Sequence, residues 1–327
     1  MKTSVAEVNI GATPTVDMHA IEIQNLSKDY AVGFWKKQLR PALKSLNLTV
    51  SSGETFGFLG PNGAGKTTTL KLLMGIIFPT SGSARILGKD CLDPEVKRRI
   101  GFLPEQPYFY DYLSAPELLD YYAQLSGVTK VDRTRRIGEL LERVGLSDVG
   151  KMHLRKFSKG MLQRVGIAQA IIHDPEVIFL DEPMSGLDPL GRHAIRELIQ
   201  SLKDAGKTIF FSTHILSDAE ALCDRVAVIH KGELRGVGVV SDLRSSGPEK
   251  SEVIWQGAEA LAAVANLVAE SHVSRDTVRA IVGSRDLDSL LEKLRLQQAS
   301  LVSVTPLRGT LEEYFLARTS EKEAVQA

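Results

Sequence analysis

The 327-residue chain has only two cysteines, Cys91 and Cys223, far apart and in no C-x-x-C pair. That excludes a disulfide framework and points to a reducing compartment, with both thiols as ordinary, partly buried side chains. No stretch approaches the roughly 18 uninterrupted apolar residues of a membrane helix. The run at residues 260–265 stops at Asn266, so the chain is not expected to cross a bilayer by itself. Excess charge is missing as well: Lys+Arg and Asp+Glu are both 40. No overall field therefore draws the chain to nucleic acid or an anionic membrane. Residues 1–20 lack an apolar h-region and read as a frayed tail, not a signal peptide, so a cytoplasmic location is expected. Repeats are absent, and low complexity is confined to the tail from Ser320. The 43% hydrophobic content is ample for a core, and the length allows two domains.

Two motifs stand out against this background. Gly60-Pro61-Asn62-Gly63-Ala64-Gly65-Lys66-Thr67 fits G-x-x-x-x-G-K-[ST] and is followed by Thr68. Its glycines let backbone N–H groups close around phosphates, Lys66 suits the β and γ groups, and the Thr67 hydroxyl suits Mg²⁺. Far downstream, Val177-Ile178-Phe179-Leu180 is a buried-strand pattern ending in Asp181-Glu182. It delivers one carboxylate toward a metal and the next toward a γ-phosphate. The bare glycine pattern also arises by chance, but here a strand-like run at residues 56–59 precedes it and a helical pattern at residues 67–74 follows. Together the motifs predict a nucleoside-triphosphate hydrolase.

The patterns between and beyond the motifs predict an α/β domain over residues 21–240. Ile21, Ile23 and Leu26, then Leu46, Leu48 and Val50, alternate with polar partners as strands. Asp93-Pro94-Glu95 has the cap and N1 proline of a short helix. Residues 113–150 carry helical spacing at Ile137, Leu140, Leu141 and Val144 and read as a helical subdomain. Residues 191–203, with Ile195, Leu198 and Leu202 on one face, supply a crossover helix between parallel strands. Ser245-Ser246-Gly247-Pro248 reads as a linker. Beyond it residues 250–317 form an expected C-terminal α+β module of β, α, β, α, β order, with residues 261–268 as its first helix and a capping box at Thr310-x-x-Glu313 opening a last one. Residues 318–327 complete it as a second tail.

Phe157-Ser158-Lys159-Gly160-Met161 lies between the two motifs, and alone it is a plain N-capped helix start. In this order, however, the chain resembles the nucleotide-binding subunits of ATP-binding cassette (ABC) transporters over residues 21–240. The resemblance implies a P-loop NTPase fold of the ABC cassette type, with ATP and Mg²⁺ as cofactors. It also implies that two cassettes close head to tail, so that each ATP lies between the glycine loop of one and the signature loop of the other. The family's L-S-G-G-Q is here Phe157-Ser158-Lys159-Gly160-Met161; the serine and second glycine are kept, and Lys159 and Met161 depart from the pattern. By the same resemblance Glu182 is the catalytic base, Asp181 a Mg²⁺ ligand with Thr67, Ser185-Gly186-Leu187-Asp188 the D-loop, and His214 the switch histidine. Glu105, in Gly101-Phe102-Leu103-Pro104-Glu105-Gln106, stands where the family has its Q-loop glutamine and can still reach Mg²⁺ or water. Tyr30 occupies the place of the adenine-stacking aromatic, with a tyrosine packed on the sheet edge as an equal alternative. Phe34-Trp35-Lys36-Lys37 is left without a role.

A chain of this kind needs separate membrane permease subunits, with residues 108–113 beside the helical subdomain as the docking place implied by relatives. The second function class, a soluble ABC ATPase acting on ribosomes or DNA, usually joins two cassettes or carries coiled coil or zinc motifs; neither is present, and no nucleic-acid partner is expected. Glu105, the altered signature and Thr310-Leu311-Glu312-Glu313-Tyr314-Phe315 resemble exporter-type (ABC-2) subunits, so export is expected over import. The cargo is not encoded in this chain.

Overall fold

The computed structural model describes residues 19–33, 38–245 and 250–307. It divides into two compact units, residues 1–54 with 67–210, and residues 55–66 with 211–327. The predicted helix at Thr310, both tails, and Phe34 to Lys37 lie outside the described residues, as do Ser246, Gly247 and Pro248 of the predicted linker.

In the first unit, β1 (His19–Val32) and β2 (Gln38–Ser51) form an antiparallel ribbon. Ile21, Ile23, Leu26, Leu46, Leu48 and Val50 are buried, while the residues between them face outward. This is the alternation of a sheet covered on one face. The ribbon is longer than the apolar pattern indicates, because pairs such as Tyr30 with Arg40 extend it by backbone bonding alone. After β3 (Thr55–Leu59) and α1 (Lys66–Leu73), β4 (Ser81–Ile86) and β5 (Lys89–Asp90) complete this sheet in the order β2-β1-β4-β5. A four-residue helix, α2 (Pro94–Lys97), starts where predicted: the Glu95 N–H donates to Asp93, and Pro94 sits in the first turn.

Next come β6 (Ile100–Leu103), α3 (Ala115–Leu125), α4 (Lys130–Arg143), α5 (Lys159–Ile171) and β7 (Val177–Asp181). β6 and β7 pair in parallel. Every position of β7 is buried, as the unbroken apolar run demands of a strand covered on both faces. α3 is held at its start by a Ser114–Glu117 capping box and packs on α4 and α5. α6 (Pro189–Asp204) buries Ile195, Leu198, Ile199 and Leu202, the stripe expected of the crossover helix. The boundary between the units falls within β8 (Thr208–Thr213).

In the second unit, β3 pairs in parallel with β9 (Arg225–His230), which follows α7 (Leu216–Leu222). β10 (Glu233–Val239) pairs antiparallel with β9 and leads into α8 (Val240–Ser245). The C-terminal part holds β11 (Lys250–Gln256), α9 (Leu261–Val264), β12 (Val268–Ser274), β13 (Thr277–Gly283), α10 (Ser284–Leu296) and β14 (Ser300–Leu307). Its antiparallel sheet has the order β12-β13-β11-β14. This is a β-α-β-β-α-β unit of the ferredoxin-like type. It corrects the expected β, α, β, α, β order: the first helix ends at Val264, and residues 268–274 form an additional edge strand. Most of β12 is exposed, so no apolar alternation marked it. Trp255, Val253, Val278, Val282, Leu290 and Leu294 form the core of this part.

Candidate functional site

The glycine loop belongs to the second unit and leaves the buried end of β3. A Cβ on Gly60 would lie 2.4 Å from the Ile229 carbonyl oxygen, so only glycine lets the loop depart against β9. Gly63 and Gly65 have φ of 79° and 112°, conformations that glycine takes without steric cost. The loop is tied down from both sides. The Gly60 N–H donates to the Thr213 carbonyl at 3.3 Å, and the Gly232 N–H to the Ala64 carbonyl at 2.9 Å. Pro61, Asn62 and Gly63 are exposed and Ala64 is buried.

Lys66 is 6% exposed, and its Nζ donates to the carbonyls of Gly60 at 2.7 Å and Pro61 at 3.3 Å. The cation is thus curled over the loop that an anion would fill. α1 starts at Lys66 with no acidic side chain in its first turn, so its positive end is left to a ligand. Thr67 and Thr68, in that turn, are half-buried. His214 follows β8 and is exposed; the Thr213 hydroxyl accepts from the Ile215 N–H at 3.0 Å and so folds the chain around it.

The first unit carries the carboxylates. Asp181 ends β7 and is 2% exposed; Glu182 is 7% exposed. Glu182 has φ of 48°, a left-handed conformation for a side chain with a Cβ, which costs about 1–3 kcal/mol. The turn is closed by the Ser185 N–H donating to the Glu182 carbonyl at 3.0 Å. Glu105 lies just past β6 and is exposed. Tyr30 is 37% exposed on β1, with the Lys28 ammonium 5.4 Å from its ring centroid.

The same unit brings Ser158, Gly160 and Asp188 together around one cavity of about 480 Å³, which Lys159, Gly186 and Leu187 also line. Ser158 caps α5, its hydroxyl accepting from the Met161 N–H at 3.2 Å. Asp188 caps α6 in the same way through the Gly191 N–H at 2.9 Å. Two helix N-termini thus face one space. Arg164 braces the first by donating to the carbonyls of Val144 and Gly145 at 3.0 Å each.

The departure at Lys159 has a structural consequence that the sequence did not disclose. Its side chain crosses Gly186, where an added Cβ would lie 2.2 Å from Nζ and where φ is 67°. Gly186 is favoured as glycine by its left-handed conformation, whereas the flexible end of the lysine could move aside for a side chain there.

Among the described residues no cluster of three or more His, Cys, Asp or Glu side chains could hold a metal by itself. An all-oxygen set of one carboxylate and one hydroxyl, completed by phosphate and water, is what Mg²⁺ takes, and Asp181 and Thr67 are of the right type. No helix among the described residues is long and apolar enough to cross a membrane.

Comparison with known proteins agrees with this chemistry. The family model described as "ABC transporter" matches residues 43–185. An uncharacterized ABC transporter ATP-binding protein of Synechocystis sp. is 46% identical over 314 residues, covering 94% of this chain and 87% of that one. The linearmycin resistance ATP-binding protein LnrL of Bacillus subtilis is 31% identical over 316 residues, 91% of this chain and 98% of that one. Among solved structures, the ATP-binding cassette MJ0796, dimeric in a post-hydrolysis state with ADP and Pi, aligns with a TM-score of 0.62 and 27% identity, over 67% of this chain and 98% of that one. The phosphate loop, the strand-end carboxylates and these similarities, two of them over more than nine tenths of this chain, lead to one conclusion: the chain belongs to the ABC transporter ATP-binding proteins, as an ATP-binding and ATP-hydrolysing cassette.

Proposed function

We propose that this cassette powers export through separate membrane permease subunits, and that it works as a head-to-tail pair, most simply a homodimer. The observation that carries the pairing is the cavity holding Ser158, Gly160 and Asp188. Its two helix N-termini suit the γ-phosphate of an ATP held on the glycine loop of a second copy. MJ0796 is dimeric with its nucleotide products, which supports the same reading. By residue type, residues 60–68 would cradle the ATP phosphates, Asp181, Thr67 and Glu105 would be the oxygen donors for Mg²⁺, which would neutralise phosphate charge, Glu182 would serve as general base toward the attacking water, and His214 would orient that water. Tyr30 stacks on the base.

Two relatives named for antibiotic resistance and transport support the export reading: the linearmycin resistance ATP-binding protein LnrL and the bacitracin transport ATP-binding protein BcrA of Bacillus licheniformis. The permease docks on the exposed Tyr110, Tyr112 and Tyr121, whose rings meet in an aromatic cluster unusual for a free surface, and on the exposed Tyr108. The protein then sits on the cytoplasmic face of the membrane through that partner.

The test is complementation between two inactive chains. Lys66→Ala disables the glycine loop and Ser158→Arg disables the signature, so each variant alone is silent. Mixed, they form heterodimers with one intact composite site, and hydrolysis reappears. A silent mixture of folded, dimer-competent variants, or full activity of Ser158→Arg alone, would sink the shared-site reading. For the transport role, affinity capture from membranes should retain a polytopic permease, and its loss on Tyr108→Ala/Tyr112→Ala checks the docking face.

A further inference from the structure

The first unit holds a second concavity that the nucleotide chemistry does not use. It lies beneath α4, with a volume of about 260 Å³, and is bordered by the C-terminal ends of α5 and α6 and the start of β7. The helices that carry Ser158 and Asp188 at their first turns meet this groove at their last ones, so it is distinct from the signature cavity. Its apolar lining is the half-buried Leu140, together with Ile171, Ile178 and Leu202, which are nearly or fully buried. The rim is basic, with Arg135, Arg136, Arg143 and Lys207 against Glu139 and Asp174.

The four cations are not equivalent. Arg135 pairs with Glu139 at 2.9 Å, and Lys207 pairs with Asp174. Arg136 and Arg143 meet no carboxylate within ion-pair distance among the described residues. Arg136 reaches across the groove to the Ile172 carbonyl at 3.1 Å, and Arg143 to the Ser201 hydroxyl at 2.9 Å. A guanidinium has five donors, so each keeps most of its capacity. α4 itself buries only Leu141, and these two arginines add polar ties to its packing on α3 and α5.

Two guanidinium groups that meet no carboxylate within ion-pair distance, set beside apolar side chains in a concavity, suit a molecule with both an anionic head and an apolar body. We propose that this groove is a binding site for a small, free amphipathic anion, a carboxylate or phosphate monoester on a short hydrocarbon tail. The head meets Arg136 and Arg143, and the tail lies against Leu140. A headgroup held in a bilayer lacks the free tail that the lining requires. The bound molecule pins α4 to the ends of α5 and α6.

Octanoate titrated into the full chain, followed by calorimetry or methyl NMR, tests this directly, without nucleotide. Saturable binding is expected, with 1-octanol, which lacks the charge, and acetate, which lacks the tail, each weaker by about tenfold or more. Arg136→Gln, at a half-buried position, and Arg143→Gln, at an exposed one, should each weaken octanoate by about tenfold in a chain that still melts cooperatively. Hydrogen exchange of the wild-type chain should slow in α4 on binding. Octanol binding as tightly as octanoate, octanoate failing to saturate, protection appearing elsewhere but not in α4, or full affinity in the double variant would each overturn the site. Competition by anionic vesicles that depends on Arg136 would assign it to membrane lipid instead and overturn the free ligand.

Discussion

β7 is buried at all five of its positions, whereas β11 is buried only at alternate ones. The first has no face left for solvent, so whatever polar chemistry it delivers must sit at its end, and Asp181 and Glu182 do. The second has one open face, and its carboxylate, Glu252, is spent laterally on Arg279 of β13. A doubly covered strand concentrates function at its tip; a half-covered strand spreads charge along its length, where each pair contributes little.

The sharpest way to break this comparison is to neutralise one carboxylate in each strand region. Glu182→Gln should lower steady-state ATP hydrolysis by about 10²–10⁴-fold, the usual weight of a general base, while ATP binding persists. Glu252→Gln should leave the rate unchanged. A colorimetric phosphate assay on both variants decides it, and normal turnover in Glu182→Gln refutes the base assignment.

Packing gives the next contrast. Phe179 is fully buried in β7, while Ile281 is half-buried on the open face of the C-terminal sheet. Phe179→Ala should cost about 3–5 kcal/mol, against about 1 kcal/mol for Ile281→Val. Urea melts followed by probes within each unit measure the two, and equal costs would mean that the open face is covered in solution. Lys66→Ala should abolish detectable nucleotide binding in a fluorescence titration without lowering the melting temperature beyond these packing effects.

The smallest effect concerns pH. His173, beside β6, donates from Nε2 to the Ile100 carbonyl at 3.0 Å, and burial holds its pKa below the usual histidine value. The unfolded chain therefore binds the proton first, so the stability of the neutral form is intact above about pH 6.5 and declines as pH falls below it. His173→Gln should flatten that decline in melting temperature between neutral and mildly acidic buffer. An undiminished slope would assign it to other groups.

The parts of the molecule legible in the sequence are those set by neighbours along the chain. Asp93 with Pro94, the glycine loop, and the stripe of α6 each carry their cause within one turn. Ser158 was readable as a cap, and the helix it opens does begin at Lys159. β12 was not readable, because an edge strand is defined by pairing with β13, not by burial. The passage of Lys159 over Gly186 was hidden for a similar reason: the motif showed an anomalous lysine, but only the fold shows what it rests on.

Residue 182 is where survival of heat and turnover of ATP pull apart. Glycine or asparagine adopts a φ of 48° more readily than glutamate. A mutant library sorted only for thermal endurance would therefore drift to those residues at this position and enrich for silent enzymes. Any stabilised variant of this cassette has to be sequenced at codon 182 before its melting temperature is counted as an improvement.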